Sequence, residues 1–237
     1  MKIEDQLNTR AIGIDGCPGG WIAALLDTSG QMKWRLEPNF ENILAGAATA
    51  ELILVDMIIG LPCLEIGVRE CDRLARVKLR PHASRVFNAP VREVLGVGSY
   101  SATNLESKRV CGKGLSKQSY YLFPKIRELD ACTDLRVRES HPELVFARLN
   151  GGIPVSASKK TEAGREARLR ILEDKLPSAR AYYEIGMTLF KRAKVGRDDL
   201  LDAMVLCVAA MEPEALQSLP EGAPPCDEQG HMMQIWF

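Results

Sequence analysis

Three strand-like runs in the sequence each end in an acidic residue: 11–15 in Asp15, 52–56 in Asp56, and 135–139 in Glu139. If the three strands lie parallel and adjacent, their carboxyl ends share one edge of a sheet, with neighbouring strands roughly 4.8 Å apart. Carboxylates held that closely repel one another unless a cation neutralises them. Because Mg²⁺ and Mn²⁺ prefer oxygen ligands, the pattern predicts a divalent metal site at this edge.

A further group of acids, Asp198, Asp199 and Asp202, opens the last predicted helix. Asp199 and Asp202 are three residues apart, so they share a face of that helix. A helix N-terminus also favours acids as caps and first-turn charges, which is the structural alternative for this group. Since a cap needs one acid and three are present, we interpret Asp199 and Asp202 as further metal ligands.

Basic residues that could hold phosphates are concentrated in the middle of the chain. Between Arg69 and Arg138 there are 15 Lys/Arg against 7 Asp/Glu, although the whole chain has a formal net charge of zero. Candidate phosphate contacts lie in the segments 80–85, 112–118 and 159–161. The same excess is compatible with an ordinary solvated surface, so both interpretations stay open. His141, just after Glu139, is either a proton shuttle or phosphate contact, or the cap of the following helix.

Several function classes are disfavoured by motifs that the sequence lacks. It contains no G-x-x-x-x-G-K-[ST], no G-x-G-x-x-G and no G-x-S-x-G, and it has only three histidines. The seven cysteines form no C-x-x-C pair, which favours reduced thiols over a zinc site or a disulfide framework. The first residues are polar and do not form a signal peptide, and the longest apolar run, 203–211, is too short to cross a bilayer. We therefore expect a cytoplasmic protein without a membrane segment.

The elements that must position the acids follow an α/β pattern. Glycine-rich turns and apolar runs predict a strand hairpin over 11–36, a helix capped by Asn39, and a buried strand at 52–56. Residues from about 60 to 134 are interpreted as an insertion before the last core strand, within a single domain that covers 1–237. Helices are predicted at 69–78, 124–131, from Pro142, 159–176, 179–193 and 198–211. The tail 212–230 is expected to be irregular, with 233–237 docking back onto the body.

The assembled motifs resemble those of domain-of-unknown-function family 429, which comprises predicted nucleases with an RNase H-like fold. They run in order along nearly the whole chain: 13–21 (GIDGCPGGW), Asp56 with 60–62 (GLP), 71–76 (CDRLAR), 87–92 (FNAPVR), 114–118 (GLSKQ), 124–126 (PKI), 139–143 (ESHPE), 158–161 (SKKT) and 198–203 (DDLLDA). The resemblance implies an RNase H-like mixed sheet, an antiparallel hairpin plus parallel strands, flanked by helices and carrying a largely helical and loop insertion.

The resemblance also implies a chemistry. In RNase H-like nucleases, acids hold two divalent ions, one activating a water for in-line attack on phosphorus and the other stabilising the leaving oxygen. Carried onto this chain, the catalytic residues are Asp15, Asp56, Glu139 and Asp202, with Asp199 as an additional ligand of Mg²⁺ or Mn²⁺. Substrate phosphates are assigned to Lys160, His141, Arg85 and Lys117.

The expected activity is metal-dependent phosphodiester hydrolysis on nucleic acid, with DNA, RNA and the oligomeric state left open. Two alternatives remain at this point. One is an ATP-dependent phosphotransferase of the actin-like and sugar-kinase-like class, in which glycines after Asp15 cradle phosphates. The other is a nucleic-acid-binding module without catalysis.

Overall fold

A five-stranded mixed sheet organises the computed structural model, which describes residues 9–237. Its strands are β1 (Thr9–Cys17), β2 (Gly20–Asp27), β3 (Met32–Glu37), β4 (Leu52–Asp56) and β5 (Val137–Glu139). The spatial order is β3-β2-β1-β4-β5, in which β1, β2 and β3 pair antiparallel while β4 and β5 run parallel to β1. The predicted fold class, a mixed sheet with an antiparallel hairpin and parallel strands, is confirmed and is consistent with an RNase H-like fold.

The helices are, in chain order, α1 (Phe40–Ala45), α2 (Glu70–Lys78), α3 (Arg92–Leu95), α4 (Tyr100–Cys111), α5 (Lys117–Tyr121), α6 (Phe123–Asp130), α7 (Pro142–Leu149), α8 (Glu162–Lys175), α9 (Ala179–Leu189) and α10 (Arg197–Ala210). Short 3₁₀ turns occur at Ala83–Arg85 and Pro213–Ala215, and two short strands, β6 (Ser218–Leu219) and β7 (Ile235–Trp236), pair with each other. Among the described residues, no helix has both the length and the apolar character needed to cross a membrane.

The described chain forms two compact units. The first contains the five-stranded sheet and comprises residues up to 57, 134–217 and 236–237; the second comprises 58–133 and 218–235. The predicted insertion at about 60–134 corresponds to most of the second unit. The sequence did not indicate that residues 218–235 join it. The division into a single domain with an insertion stays a prediction.

Packing of α10 against the centre of the sheet depends on Gly13 in β1. A Cβ atom at this position would lie 2.1 Å from both the carbonyl oxygen of Ala203 and the backbone nitrogen of Cys207. Only glycine therefore lets the helix backbone approach the strand this closely. The residues of α10 from Leu200 to Ala210 are all buried, which explains why the sequence of this helix is apolar on nearly every face.

Helix boundaries differ from the predictions mainly at the ends. The helix predicted from 159 begins at Glu162, because the Thr161 hydroxyl caps it by accepting a hydrogen bond from the Gly164 N–H at 3.1 Å. Lys159 therefore lies in the preceding loop. Helix α4 was not predicted, because its buried positions include the polar residues Thr103 and Ser107 and give no apolar stripe.

The C-terminal segment packs into the protein as predicted. Met233, Ile235 and Phe237 are only 1–2% exposed. Phe237 also exchanges two backbone hydrogen bonds with Gln217, at 2.8 and 2.9 Å.

Candidate metal centre

Two carboxylates meet at the end of the central parallel strand pair. Asp15 of β1 and Asp56 of β4 are register partners. Residues paired in register on neighbouring parallel strands direct their side chains to the same face of the sheet. The register of the two strands therefore brings both acids to one place.

The third carboxylate comes from α10. One carboxylate oxygen from each of Asp15, Asp56 and Asp202 lies within 4.8 Å of the other two. Asp15 is 8% exposed and Asp202 is fully buried, whereas Asp56 is half-buried. These three residues, named here the acid cluster, thus form a buried site that solvent reaches at Asp56.

The acid cluster is electrostatically strained. Burial raises the pKa of Asp15 well above its ordinary value, and the neighbouring charges of Asp56 and Asp202 raise it further. Burial and the charge of Asp202 likewise raise the pKa of Asp56 to about 7. Burial also raises the pKa of Asp202, against the opposing effect of Lys159. A cation that entered the site would relieve this repulsion.

Lys159 already supplies one positive charge. Its ammonium group forms an ion pair with Asp202 Oδ2, and its side chain is 33% exposed. Burial alone would lower the pKa of Lys159, but the charges of Asp202, Asp15 and Asp56 outweigh it and raise that pKa, so the ammonium stays protonated. With all three acids ionised, the site carries a net charge of −2, which one divalent cation would balance.

A buried ion pair fixes the loop that carries Lys159. The Arg168 guanidinium, which is fully buried, donates to Glu143 at 2.6 and 2.9 Å and to the carbonyl oxygens of Ala157 and Gly164. Gly164 permits the close packing, because a Cβ there would lie 1.9 Å from the carbonyl oxygen of Ser158. The charge of Glu143 also raises the pKa values of Asp56 and Asp202, so this pair belongs to the surroundings of the acid cluster.

The donor set fits a hard divalent cation. All three groups offer carboxylate oxygens, the ligands that Mg²⁺ and Mn²⁺ prefer. The Asp202 Oδ1 atom is buried and has no hydrogen-bond partner. A buried carboxylate oxygen without a partner is costly, and coordination to a metal would satisfy it.

The two other predicted ligands lie outside the acid cluster. Asp199 accepts a hydrogen bond from the Gly196 N–H at 2.7 Å, which is the capping role considered as the alternative, and burial raises its pKa to about 6. Glu139 is buried, but it pairs in register with Val55, one residue before Asp56. Because successive strand residues face opposite sides, Glu139 is not directed to the face of Asp15 and Asp56.

The predicted phosphate contacts lie in different surroundings. His141 is half-buried and caps α7, with Nδ1 accepting from the Glu143 N–H at 3.2 Å. Lys160 is exposed, whereas its neighbour Lys159 reaches the acids. Arg85 and Lys117 belong to the second unit, where Arg85 is half-buried and Lys117 exposed. The assignment of these residues to phosphate binding stays a prediction.

Sequence reasoning included Lys159 only in a candidate phosphate-contact segment, 159–161, and did not assign Glu143 to the surroundings of the site. The SKKT motif contained the signal for a lysine, but the choice between its two lysines depends on where α8 begins. The partner of Glu143 lies 25 residues away in Arg168, and no local pattern indicates such a pair.

A second group of possible ligands, Asp130, Asp227 and His231, lies in the second unit. Here Arg92 already bridges the two carboxylates, donating to Asp130 at 2.8 and 2.9 Å and to Asp227 at 2.5 Å. Asp227 also accepts the Leu61 N–H at 2.9 Å. We interpret this group as a structural ion-pair network.

Comparison with known proteins identifies the family. A family model described as "Protein of unknown function (DUF429)" matches residues 13–224, so the chain belongs to that family. No curated protein and no solved structure matches the chain. The matched region contains every residue of the acid cluster and Lys159.

Proposed function

We propose that this member of the DUF429 family is a metal-dependent nuclease that hydrolyses phosphodiester bonds in nucleic acid. The observation that supports the proposal is the approach of three carboxylate oxygens, from Asp15, Asp56 and Asp202, to within 4.8 Å of one another. The three acids come from two parallel strands and a helix far apart in sequence. A structural role does not require this convergence, since it raises the pKa values of the buried acids and costs stability.

Charge balance predicts how the metal binds. A site of net charge −2 holds one Mg²⁺ or Mn²⁺ in the free protein, with Asp15, Asp56 and Asp202 as ligands. A second ion requires additional negative charge, which a substrate phosphate and the nearby Asp199 would supply. We therefore expect one ion per chain without substrate.

The residues of the site divide into positioning and contact roles. A bound divalent cation would stabilise negative charge on phosphoryl oxygens and lower the pKa of a coordinated water. The rigid strand ends hold Asp15 and Asp56 in fixed positions, so no reorganisation is needed when substrate binds. The Lys159 ammonium lies beside the same oxygens and is placed to donate a hydrogen bond to a phosphate oxygen. The buried Glu143–Arg168 pair keeps the Lys159 loop in position.

The test is cleavage of a panel of single- and double-stranded DNA and RNA with Mg²⁺ or Mn²⁺. Asp15→Asn, Asp56→Asn and Asp202→Asn should each abolish most cleavage, because the amide removes a charged ligand while keeping the side-chain shape. Asp198→Asn is the matched control, since it changes an acid of the same α10 that lies outside the acid cluster. Cleavage that persists in all three cluster variants would refute the proposal.

The same experiment separates the alternatives. Stabilisation of the protein by Mg-ATP, with no cleavage of any nucleic acid, would point to a phosphotransferase. Salt-sensitive nucleic-acid binding that survives loss of the acids, without turnover, would point to a binding module. We also propose a cytoplasmic location, because the spacing of the seven cysteines favours reduced thiols.

A further inference from the structure

The segment 99–127 of the second unit is strongly basic. It contains six Lys/Arg and one acid, Glu106. Glu106 forms an ion pair with Arg109 of the same helix, with Nη2 and Oε1 2.5 Å apart. Three lysines of the segment are exposed: Lys108, Lys113 and Lys117. The segment therefore suits an anionic partner.

Aromatic rings cluster in the same segment. The ring of Tyr120 lies 5.6 Å from Tyr100, 5.9 Å from Tyr121 and 5.5 Å from Phe123, measured between centroids. Tyr121 is nevertheless 71% exposed, and the Lys117 ammonium lies 5.8 Å from the centroid of the Tyr100 ring. The exposed Tyr121 ring meets Tyr120 in an edge-to-face arrangement, at an interplanar angle of 62°, and offers a face on which a flat, apolar group can stack.

One polar face of α4 fixes this surface in place. Tyr100, Asn104 and Ser107 follow the i, i+4, i+7 spacing of a single helix face. The Tyr100 hydroxyl donates to the Leu115 carbonyl at 3.0 Å, and Asn104 Oδ1 accepts the Leu115 N–H at 2.9 Å. The Ser107 hydroxyl donates to the Lys113 carbonyl at 2.8 Å. The glycine-rich loop before Lys117 is thus held by side chains, which reduces the entropy lost on binding.

We infer that these residues form a binding surface for single-stranded nucleic acid. The surface, named here the Tyr–Lys platform, consists of Tyr100, Tyr120, Tyr121, Lys113 and Lys117. A base stacks on Tyr121 while the two lysines contact the flanking phosphates. A single strand is favoured over a duplex because stacking on a protein ring requires a base that is not already stacked between neighbours. The inference extends the proposed function to a second set of residues and rests on that function for the class of substrate.

The experiment measures, by fluorescence anisotropy in EDTA, the binding of a labelled thymidine oligonucleotide. Its length of roughly 15 nucleotides is about the longest stretch that a single OB-fold covers. Tyr121→Ala should weaken binding by about five- to a hundredfold, the usual effect of losing one base-stacking side chain. Tyr121→Phe should restore it, since the ring is kept. Leu105→Ala is the matched control, because it removes a similarly exposed apolar side chain (70%) from α4.

Salt dependence tests the lysines separately. Lys113→Ala and Lys117→Ala should each reduce the slope of log K against log salt concentration by about 0.7, the value for one phosphate contact with a single strand. Lys191→Ala removes an exposed lysine of the first unit and should leave the slope unchanged.

Several results would overturn the inference. Equal binding by Tyr121→Ala and Tyr121→Phe would exclude stacking. Stacking would also be excluded if inorganic polyphosphate displaced the labelled oligonucleotide as effectively as the unlabelled oligonucleotide does. Binding of the protein to anionic phospholipid vesicles but not to the oligonucleotide would assign the basic surface to a membrane instead. Because binding is measured in EDTA, the result does not depend on metal-dependent cleavage. Binding that Tyr121→Ala weakens, without cleavage under any condition, would support the Tyr–Lys platform and refute the proposed nuclease activity. Cleavage together with unchanged binding by Tyr121→Ala would support the nuclease activity and refute the platform.

Discussion

The substitution Asp56→Asn should stabilise the metal-free protein at neutral and alkaline pH. Burial and the charge of Asp202 raise the pKa of Asp56 from 3.8 to about 7. Between these two values the folded state holds a proton that the unfolded state has released. Stability therefore falls as pH rises through this window, by up to about 1.4 kcal/mol per pH unit. Asparagine cannot ionise, so the variant avoids this loss.

At pH values above 7, the pKa shift of about 3 units limits the stabilisation by Asp56→Asn to at most about 4 kcal/mol in the free energy of unfolding. Since Asp56 is half-buried and water reaches it, we expect a gain of about 1–3 kcal/mol relative to the unsubstituted protein. In a chain of this size, that corresponds to a rise in Tm of roughly 2–10 °C. The gain should shrink to about 0.5 kcal/mol or less near pH 4, where Asp56 is protonated in the folded state and about half-protonated in the unfolded state.

The assay is thermal and urea unfolding in EDTA at about pH 4 and about pH 8, then repeated with Mn²⁺. Mn²⁺ at about 100 times its Kd should stabilise the unsubstituted protein by about 2.7 kcal/mol and Asp56→Asn by much less. Asp27→Asn is the control, because the pKa of Asp27 is shifted downward whereas that of Asp56 is shifted upward. The slight burial of Asp27 is outweighed by hydrogen bonds from Ser29 and from the backbone of Gln31, which lower its pKa, so this substitution should bring no gain at alkaline pH.

Two results would refute the reasoning. If Asp56→Asn is no more stable than the unsubstituted protein in EDTA at alkaline pH, then the carboxylates of the acid cluster do not repel one another as their positions require. If Mn²⁺ stabilises both proteins equally, then Asp56 is not a ligand.

Three further substitutions test the surroundings of the site. Arg168→Ala should lower the free energy of unfolding by about 3–5 kcal/mol in urea unfolding, because it removes the guanidinium that pairs with the buried Glu143 carboxylate. Arg170→Ala, on the exposed face of α8, is the control and should change it by less than about 0.5 kcal/mol. Gly13→Ala should push α10 away from β1, which should lower the free energy of unfolding by about 1–3 kcal/mol or more and weaken Mn²⁺ binding measured by calorimetry. Gly96→Ala is the control, because a Cβ there meets no atom within 4 Å, and it should change neither quantity. Lys159→Met should raise Mn²⁺ affinity by about tenfold or more, because the site becomes more negative, while abolishing cleavage; unchanged affinity would contradict the assigned charge balance.

Much of the fold could be predicted because its signals are local. The apolar runs ending in Asp15 and Asp56 specify strands, and Asn39 and Pro142 mark helix starts by their own conformational preferences. Helix α4 was missed because polar residues occupy its buried face and hold a loop instead of an apolar core. Its recognition requires knowledge of what that face contacts.

For the site, the sequence by itself determined that acids stand at the ends of β1 and β4 and at the start of α10, since these positions follow from chain periodicity. Only the tertiary structure decided which acids meet. The register of β5 against β4 pairs Glu139 with Val55, and a difference of one residue reverses the face of a strand side chain. The glycine at position 13 lets α10 bring Asp202 to the strand ends, and the cap at Thr161 leaves Lys159, not Lys160, against them. Register and helix approach depend on contacts between residues distant in sequence, and no local pattern encodes them.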